Sequence, residues 1–214
     1  MKILEKIAII FFDMIDKFFH QRKIIKNLKK NFDNLDVFFD IGSHKGTYTD
    51  LVIENFKVKK AVMVEPQKNI YKYIKKKYSK NKKVRIFNYA ISDTKKPQIL
   101  YINKHDLTSS LTQIDRKNSY LNLKARLFGG SINDLIHNKY IVNSCKLSDI
   151  IKKNRVNKID LLKIDTEGHE LQVLKGAGFF LKNRVKFILI EIHNSNIFLN
   201  YDAKKIHNYL KRNK

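Results

Sequence analysis

Acidic side chains recur where apolar runs end in this 214-residue chain. Residues 160–170 read DLLKIDTEGHE, crowding Asp165, Glu167, His169 and Glu170 around Gly168 directly after a strand-like run. DIGSHKG (40–46) closes another run with Asp40, Gly42 and Gly46, and AVMVEP (61–66) closes with Glu65. NYAIS (88–92) offers Asn88, Ala90, Ile91 and Ser92, and VKFILIEIH (185–193) ends on Glu191 and His193. A solvated helix tolerates such charge, but a buried strand delivering its last residues to a cleft would need it.

The elements that must position these groups are legible from the pattern. LDVFFDIG (35–42), AVMVEP (61–66), VRIFNYAIS (84–92), KIDLLKID (158–165) and VKFILIEIH (185–193) read as strands. Helices are expected over 47–55, 67–78 and 169–175, the last closed by Gly176 and Gly178. Continuous apolar strands alternating with amphipathic helices predict an α/β fold, a Rossmann-like, doubly wound and mainly parallel sheet. Ligands then bind at the carboxyl ends of the strands. Residues 1–30 are expected as an amphipathic helical segment ahead of a domain over 31–214, with 97–145 as a substrate-side excursion. Within it QILYIN and TSSLTQI could form a hairpin, and 115–139 a long loop or short helices. YIVNSC (140–145) reads as a short strand before a helix near Ser148.

Glu65 lies 23 residues after Gly42, the distance at which a nucleotide-binding strand places a carboxylate on ribose hydroxyls. The spacing D-x-G-x-x-x-G is not the dinucleotide fingerprint, whose glycines let the backbone approach a pyrophosphate. A ligand with a ribose and no phosphate fits better. S-adenosylmethionine is such a ligand, and its cationic sulfonium suits an acid-rich pocket. Methyl transfer to oxygen needs an acceptor hydroxyl in line with the sulfonium and a base for its proton. His193 is the expected base, because imidazole titrates near neutrality and follows a buried strand. Asp165 and Glu167 are alternatives, or orient the acceptor. His169 reads as structural in the following helix, and Glu170 as a carboxylate favoured in a helix's first turn. No metal is expected, the alternative being a hard divalent cation on Asp165, Glu167, Glu191 and His193.

DIGSHKG, VEP, NYAISD and above all DLLKIDTEGHELQVLKGA resemble the FkbM-type methyltransferases of the class I group, over roughly residues 35–195. The resemblance implies S-adenosylmethionine as donor and O-methylation, commonly of a sugar or natural-product hydroxyl. Matched position by position, it assigns Asp40, Gly42, Glu65 and the Ala90, Ile91, Ser92 turn to the donor, with Gly46 in the same glycine turn. Asp165 to Glu167 would lie beside the methyl group, and Ser110 in TSSL would line the acceptor side. Class I sheets normally finish with two more strands, the last antiparallel; after His193 this chain offers only FLNY and a basic helix over about 202–212. Residues 98–113 and 140–145 could fill that edge, a partner could, or the edge is trimmed.

Composition bounds the alternatives. Hydrophobic content of 43% suits a globular protein, and a lone cysteine excludes an internal disulfide and any cysteine metal cluster. A net charge of +24 could serve a nucleic-acid groove, which makes an RNA methyltransferase one alternative. Lysines spread along the chain and the lack of a base-stacking aromatic motif favour solvated faces instead. The apolar run Ile7–Phe12 is far shorter than the roughly 20 residues that span a bilayer. No cleavage site follows, so a cytoplasmic protein is expected, with peripheral membrane contact through residues 1–30 as an option. The third possibility is a non-catalytic, truncated module that binds a partner or membrane surface.

Overall fold

A computed structural model describes residues 22–103, 109–127, 131, 136–193 and 197–214. Most of the N-terminal segment and its membrane option therefore lie outside the described residues. The chain runs through α1 (22–29), β1 (Asn34–Ile41), α2 (Thr47–Asn55), β2 (Lys57–Val64), α3 (Lys68–Lys77), β3 (Val84–Phe87) and β4 (Ala90–Ile91). Next come β5 (Gln98–Asn103), β6 (Ser109–Ser110), α4 (Ser119–Leu127), β7 (Ile136–Val142), β8 (Ser144–Cys145) and α5 (Leu147–Lys153). The last elements are β9 (Ile159–Ile164), α6 (Glu170–Ala177), α7 (Phe179–Arg184), β10 (Val185–Ile190) and α8 (Ala203–Asn213).

Five strands form the central sheet in the order β10-β9-β1-β2-β3, and every pairing is parallel. Alternation along each strand explains why the apolar runs are unbroken. In β1, Phe39 and Ile41 enter one core with Leu162 and Ile164 of β9 and the helices α5, α6 and α7. Phe38 enters the opposite core with α1, α2 and Leu161. Helices therefore cover both faces, and burial on both sides selects apolar residues at consecutive positions.

Two expectations need correction. The third strand does not run to residue 92: β3 stops at Phe87, and β4 pairs with β8 in a separate two-stranded sheet. Asn88 causes the break, because its amide turns back to the carbonyls of Glu65 (2.8 Å) and Pro66 (2.9 Å). Nor do residues 98–113 and 140–145 extend the central sheet. β6-β5-β7 is an independent antiparallel sheet that includes the expected hairpin, Tyr101 pairing with Ser110. Among the described residues β10 ends the central sheet on that side.

One glycine sets the distance between α6 and β4. Gly176 sits in mid-helix, yet a Cβ there would come within 2.2 Å of the Ser92 carbonyl oxygen. Helix propensity alone favours alanine over glycine by about 1 kcal/mol. Overpacking of a fixed backbone contact costs on the order of 1–3 kcal/mol or more. Gly176→Ala is therefore expected to lower stability, seen as a lower urea midpoint; a raised midpoint would refute this packing.

Candidate active site at the strand tips

The parallel ladder extends one residue beyond each strand. Glu191 N–H donates to Ile164, Asp165 N–H to Ile41, Gly42 N–H to Val64 and Glu65 N–H to Phe87, all at 3.0 Å. Glu191, Asp165, Gly42, Glu65 and Asn88 thereby fall in one row across the sheet's carboxyl edge. The middle of that row must be glycine. Gly42 has φ +78°, and a Cβ there would lie 1.8 Å from the Asp165 carbonyl oxygen.

Two rows further into the sheet, Asp40 and Lys163 are paired neighbours of β1 and β9. Asp40 is fully buried and Lys163 is 8% exposed. The Lys163 ammonium lies 3.4 Å from Asp40 Oδ1 and 2.9 Å from Asp165 Oδ2. It also stands over the Tyr48 ring, 5.2 Å from its centroid. Thr49 Oγ1 of α2 donates to Asp40 Oδ2 at 2.7 Å. Burial disfavours the lysine's charge, but the two carboxylates reverse that and hold it above its ordinary range. In return Lys163 keeps Asp165 ionised against its own burial.

Glu65 is 3% exposed. Its two oxygens accept the N–H groups of His44 (2.9 Å) and Gln67 (2.8 Å). Burial raises its pKa to about 7, opposed by those N–H groups and aided by the charges of Asp40 and Asp165. Asp165, Glu167 and Glu191 each bring an oxygen within 4.8 Å of the others. Glu191 is raised chiefly by hydrogen bonding to Asp165 and then by burial, while Lys163 holds Asp165 low, so the two carboxyls titrate as a pair. Such a trio could also hold a hard divalent cation.

The TEGH turn between β9 and α6 is tied from several sides. Glu167 occupies the left-handed region at φ +53°, uncommon for a residue with a Cβ. Glu170, fully buried, accepts the N–H groups of Thr166 (3.0 Å) and Gly168 (3.1 Å) on one oxygen. Ser110 Oγ donates to the Glu167 carbonyl, and Thr112 Oγ1 to the Gly168 carbonyl at 3.0 Å. Phe198 packs on Gly168 so closely that a Cβ there would meet its ring at 2.6 Å. His193 Nε2 lies 3.7 Å from Glu167 Oε2. The His193 ring stands edge-on to Phe198 and Tyr201, at centroid distances of 5.0 and 5.5 Å.

The structure therefore brings Asp40, Gly42, Glu65, Asp165, Glu167, Glu191 and His193 to one edge of the sheet. Gly46 is nearby but is filled by the Tyr78 hydroxyl, which donates to its carbonyl at 2.9 Å. Ser110 sits beneath the turn instead of lining an open wall. Ala90 and Ile91 are buried in the β4–β8 pair, and the N–H groups of Ala90 and Ser92 are taken by Asn143 and Cys145. Ser92 Oγ meets His169 Nε2 at 3.0 Å, so this segment packs against α6. Sequence reasoning missed Tyr48, Thr49 and Thr112, and it marks Lys163 as the odd residue of its strand without accounting for its charge. A lysine inside the run IDLLKI was the available signal, since a buried ammonium demands an acidic partner.

A family model of the methyltransferase FkbM domain matches residues 40–214. The chain belongs to the FkbM methyltransferase family. The hexuronic acid methyltransferase AglP of Haloferax volcanii is 42% identical over 45 residues, which are 21% of this chain and 18% of that protein. The crystal structure of methyltransferase FkbM from Methylobacillus flagellatus KT superposes with a TM-score of 0.52 at 15% identity. That likeness covers 85% of this chain and 38% of the other, and at such identity it concerns the fold.

In this FkbM-family chain the buried ion pair has a measurable signature. Lys163→Met leaves Asp40 and Asp165 without their cation, at an expected cost on the order of 3–5 kcal/mol in urea unfolding. Combined with Asp40→Asn, the loss should fall short of the sum by at least about 1 kcal/mol; additivity would show that the two do not interact. His169 gives a pH signature. Burial lowers its pKa to about 4, partly opposed by Asp93. The unfolded chain takes up a proton near pH 6.5 that the native one refuses, so this contribution is complete above pH 6.5 and lost as pH falls towards 4. Stability should drop over that interval by about 2–3 kcal/mol more than in His169→Gln.

Proposed function

We propose that this chain is an S-adenosylmethionine-dependent O-methyltransferase acting on a hydroxyl of a sugar, glycan or small natural product. The reading is carried by Glu65, a buried carboxylate between two backbone N–H groups at the tip beside the Gly42 turn. Each oxygen accepts one hydrogen bond from the chain and keeps further acceptor capacity, which suits the two hydroxyls of a ribose. Asp40 and Asp165 close by would repel a phosphate and favour a cationic ligand. The residues fit the donor on those grounds, with Gly42 allowing close backbone approach.

Bound there, S-adenosylmethionine supplies a methyl group on a positively charged sulfur. Glu65 would hold the ribose, and Asp165, kept ionised by Lys163, would face the positive charge. The acceptor's proton falls to His193. Its Nε2 is buried without a hydrogen-bond partner among the described residues, and Glu167 stands ready to stabilise the imidazolium that results. Phe198 and Tyr201 stand edge-on to the ring, and the Tyr201 hydroxyl accepts the backbone N–H of His193 at 3.0 Å. Support for a sugar acceptor is the local identity to the hexuronic acid methyltransferase, which spans under a fifth of that protein.

Calorimetric titration with S-adenosylhomocysteine tests the donor site. Binding heat should weaken at least tenfold in Glu65→Ala and less in Glu65→Gln. Hydroxyl donors favour the ionised carboxylate, so affinity should rise as pH climbs through about 7 and then level off. Absence of heat, or indifference to Glu65→Ala, refutes the assignment.

A further inference from the structure

A cavity of about 460 Å³ opens beside the TEGH turn, and neither Asp40, Glu65 nor Asp165 lines it. It is lined by Gly168 of the turn and Gln172 of α6, by the loop before α8 and the first turn of that helix, and by the β5–β6 region. Tyr201 lines it while its ring also meets His193 at 5.5 Å, so the cavity adjoins the candidate base. The volume falls within the roughly 300–1,000 Å³ of small-molecule sites.

The lining chemistry selects among ligands. Three neutral amides, Gln113, Gln172 and Asn200, share the cavity with Lys205 and Asp202. Asp202 is occupied as the cap of α8, accepting the N–H groups of Lys204 and Lys205, and Gln113 Nε2 donates to the Tyr101 hydroxyl at 2.5 Å. The Gln172 and Asn200 amides carry no hydrogen bond among the described residues. An apolar ligand would strand those amides at a cost of about 1–3 kcal/mol each. A polyanion would need several cations, and among the described residues this cavity offers one ammonium, Lys205, next to one carboxylate, Asp202. What matches is a neutral, hydroxyl-rich ring, each vicinal pair of hydroxyls meeting an amide that both donates and accepts.

We propose that this cavity binds a neutral sugar ring through the Gln172 and Asn200 amides. This deepens the functional reading above and rests on it in one respect: the bound ring would be the unit next to the one carrying the acceptor hydroxyl.

Saturation-transfer NMR on the full chain without donor tests it, using glucose, galactose, mannose, N-acetylglucosamine, rhamnose and maltose, with glucose 6-phosphate as anionic comparator. At least one neutral sugar should give transfer to its ring protons, at least tenfold weaker in Gln172→Ala and Asn200→Ala and unchanged in Glu65→Ala. Thermal unfolding confirms that each variant folds, and Lys205→Met on α8 replaces any that does not. No transfer from any neutral sugar overturns the proposal, as does transfer that survives the substitutions or a tenfold preference for glucose 6-phosphate. Sugar binding without S-adenosylhomocysteine binding would sink the methyl-transfer reading and keep the cavity; the converse would sink the cavity alone.

Discussion

A lysine buried between two carboxylates holds the working end of this sheet together. Lys163 and Asp40 are cross-strand neighbours on β9 and β1, and Asp165 lies two residues further on, where alternation returns the chain to the same face. Burying one such charge costs several kcal/mol, and a buried ion pair breaks even only with good geometry and added hydrogen bonds. Thr49 and the Tyr48 ring supply part of that support from α2. The network is therefore poor insulation against unfolding but strong orientation, because any displacement of one member exposes the others to an unpaired charge. It fixes where Asp165 points, and with it the start of the TEGH turn.

That turn shows how far the second sheet serves the first. Ser110 and Thr112 reach carbonyls of Glu167 and Gly168, while Gln67, next to Glu65, reaches Ser109 at 2.8 Å. The β6 segment thus braces two strand tips at once. Glu170 completes the turn from the helix side by accepting its N–H groups. A left-handed glutamate is held only where its surroundings over-determine it, and here two serine/threonine hydroxyls, a buried carboxylate and the Phe198 ring do so. The excursion after β4 is in this sense structural support for the TEGH turn as much as a wall.

The sequence made the five strands and the helices legible because burial on both faces leaves continuous apolar runs. α2 was read to the residue. Register was not legible, and register is what pairs Asp40 with Lys163; a lone lysine in IDLLKI announces a partner without saying which. The third strand was read too long because NYAIS keeps an apolar tone, and the break depends on where the Asn88 amide turns. The tips carrying Asp40, Gly42, Glu65, Asp165 and Glu167 could be read from their types and spacing. The use of Ser92 by His169 could not, since it depends on how α6 lies against β4, a tertiary contact set by Gly176.

The acid row at the carboxyl edge sits in a chain whose formal charge is +24, and the two facts do not conflict. Exposed lysines are screened within about 8–10 Å at ordinary ionic strength. Buried groups escape most of that screening, so the potential inside the cleft is set by Asp40, Asp165, Glu65 and the single cation Lys163 among them. A cationic donor of the kind proposed would experience that local field after a mildly repulsive approach. The net charge thus bears on solubility and on what the outer surface attracts, while the chemistry of the tips is governed by a few groups within ion-pair range. Lys163 cancels one of those negative charges. Burial, with a smaller contribution from the neighbouring carboxylates, draws Glu65 towards protonation, and the hydrogen bond to Asp165 followed by burial does the same for Glu191; a bound cation or hydroxyl donor would favour the ionised forms instead.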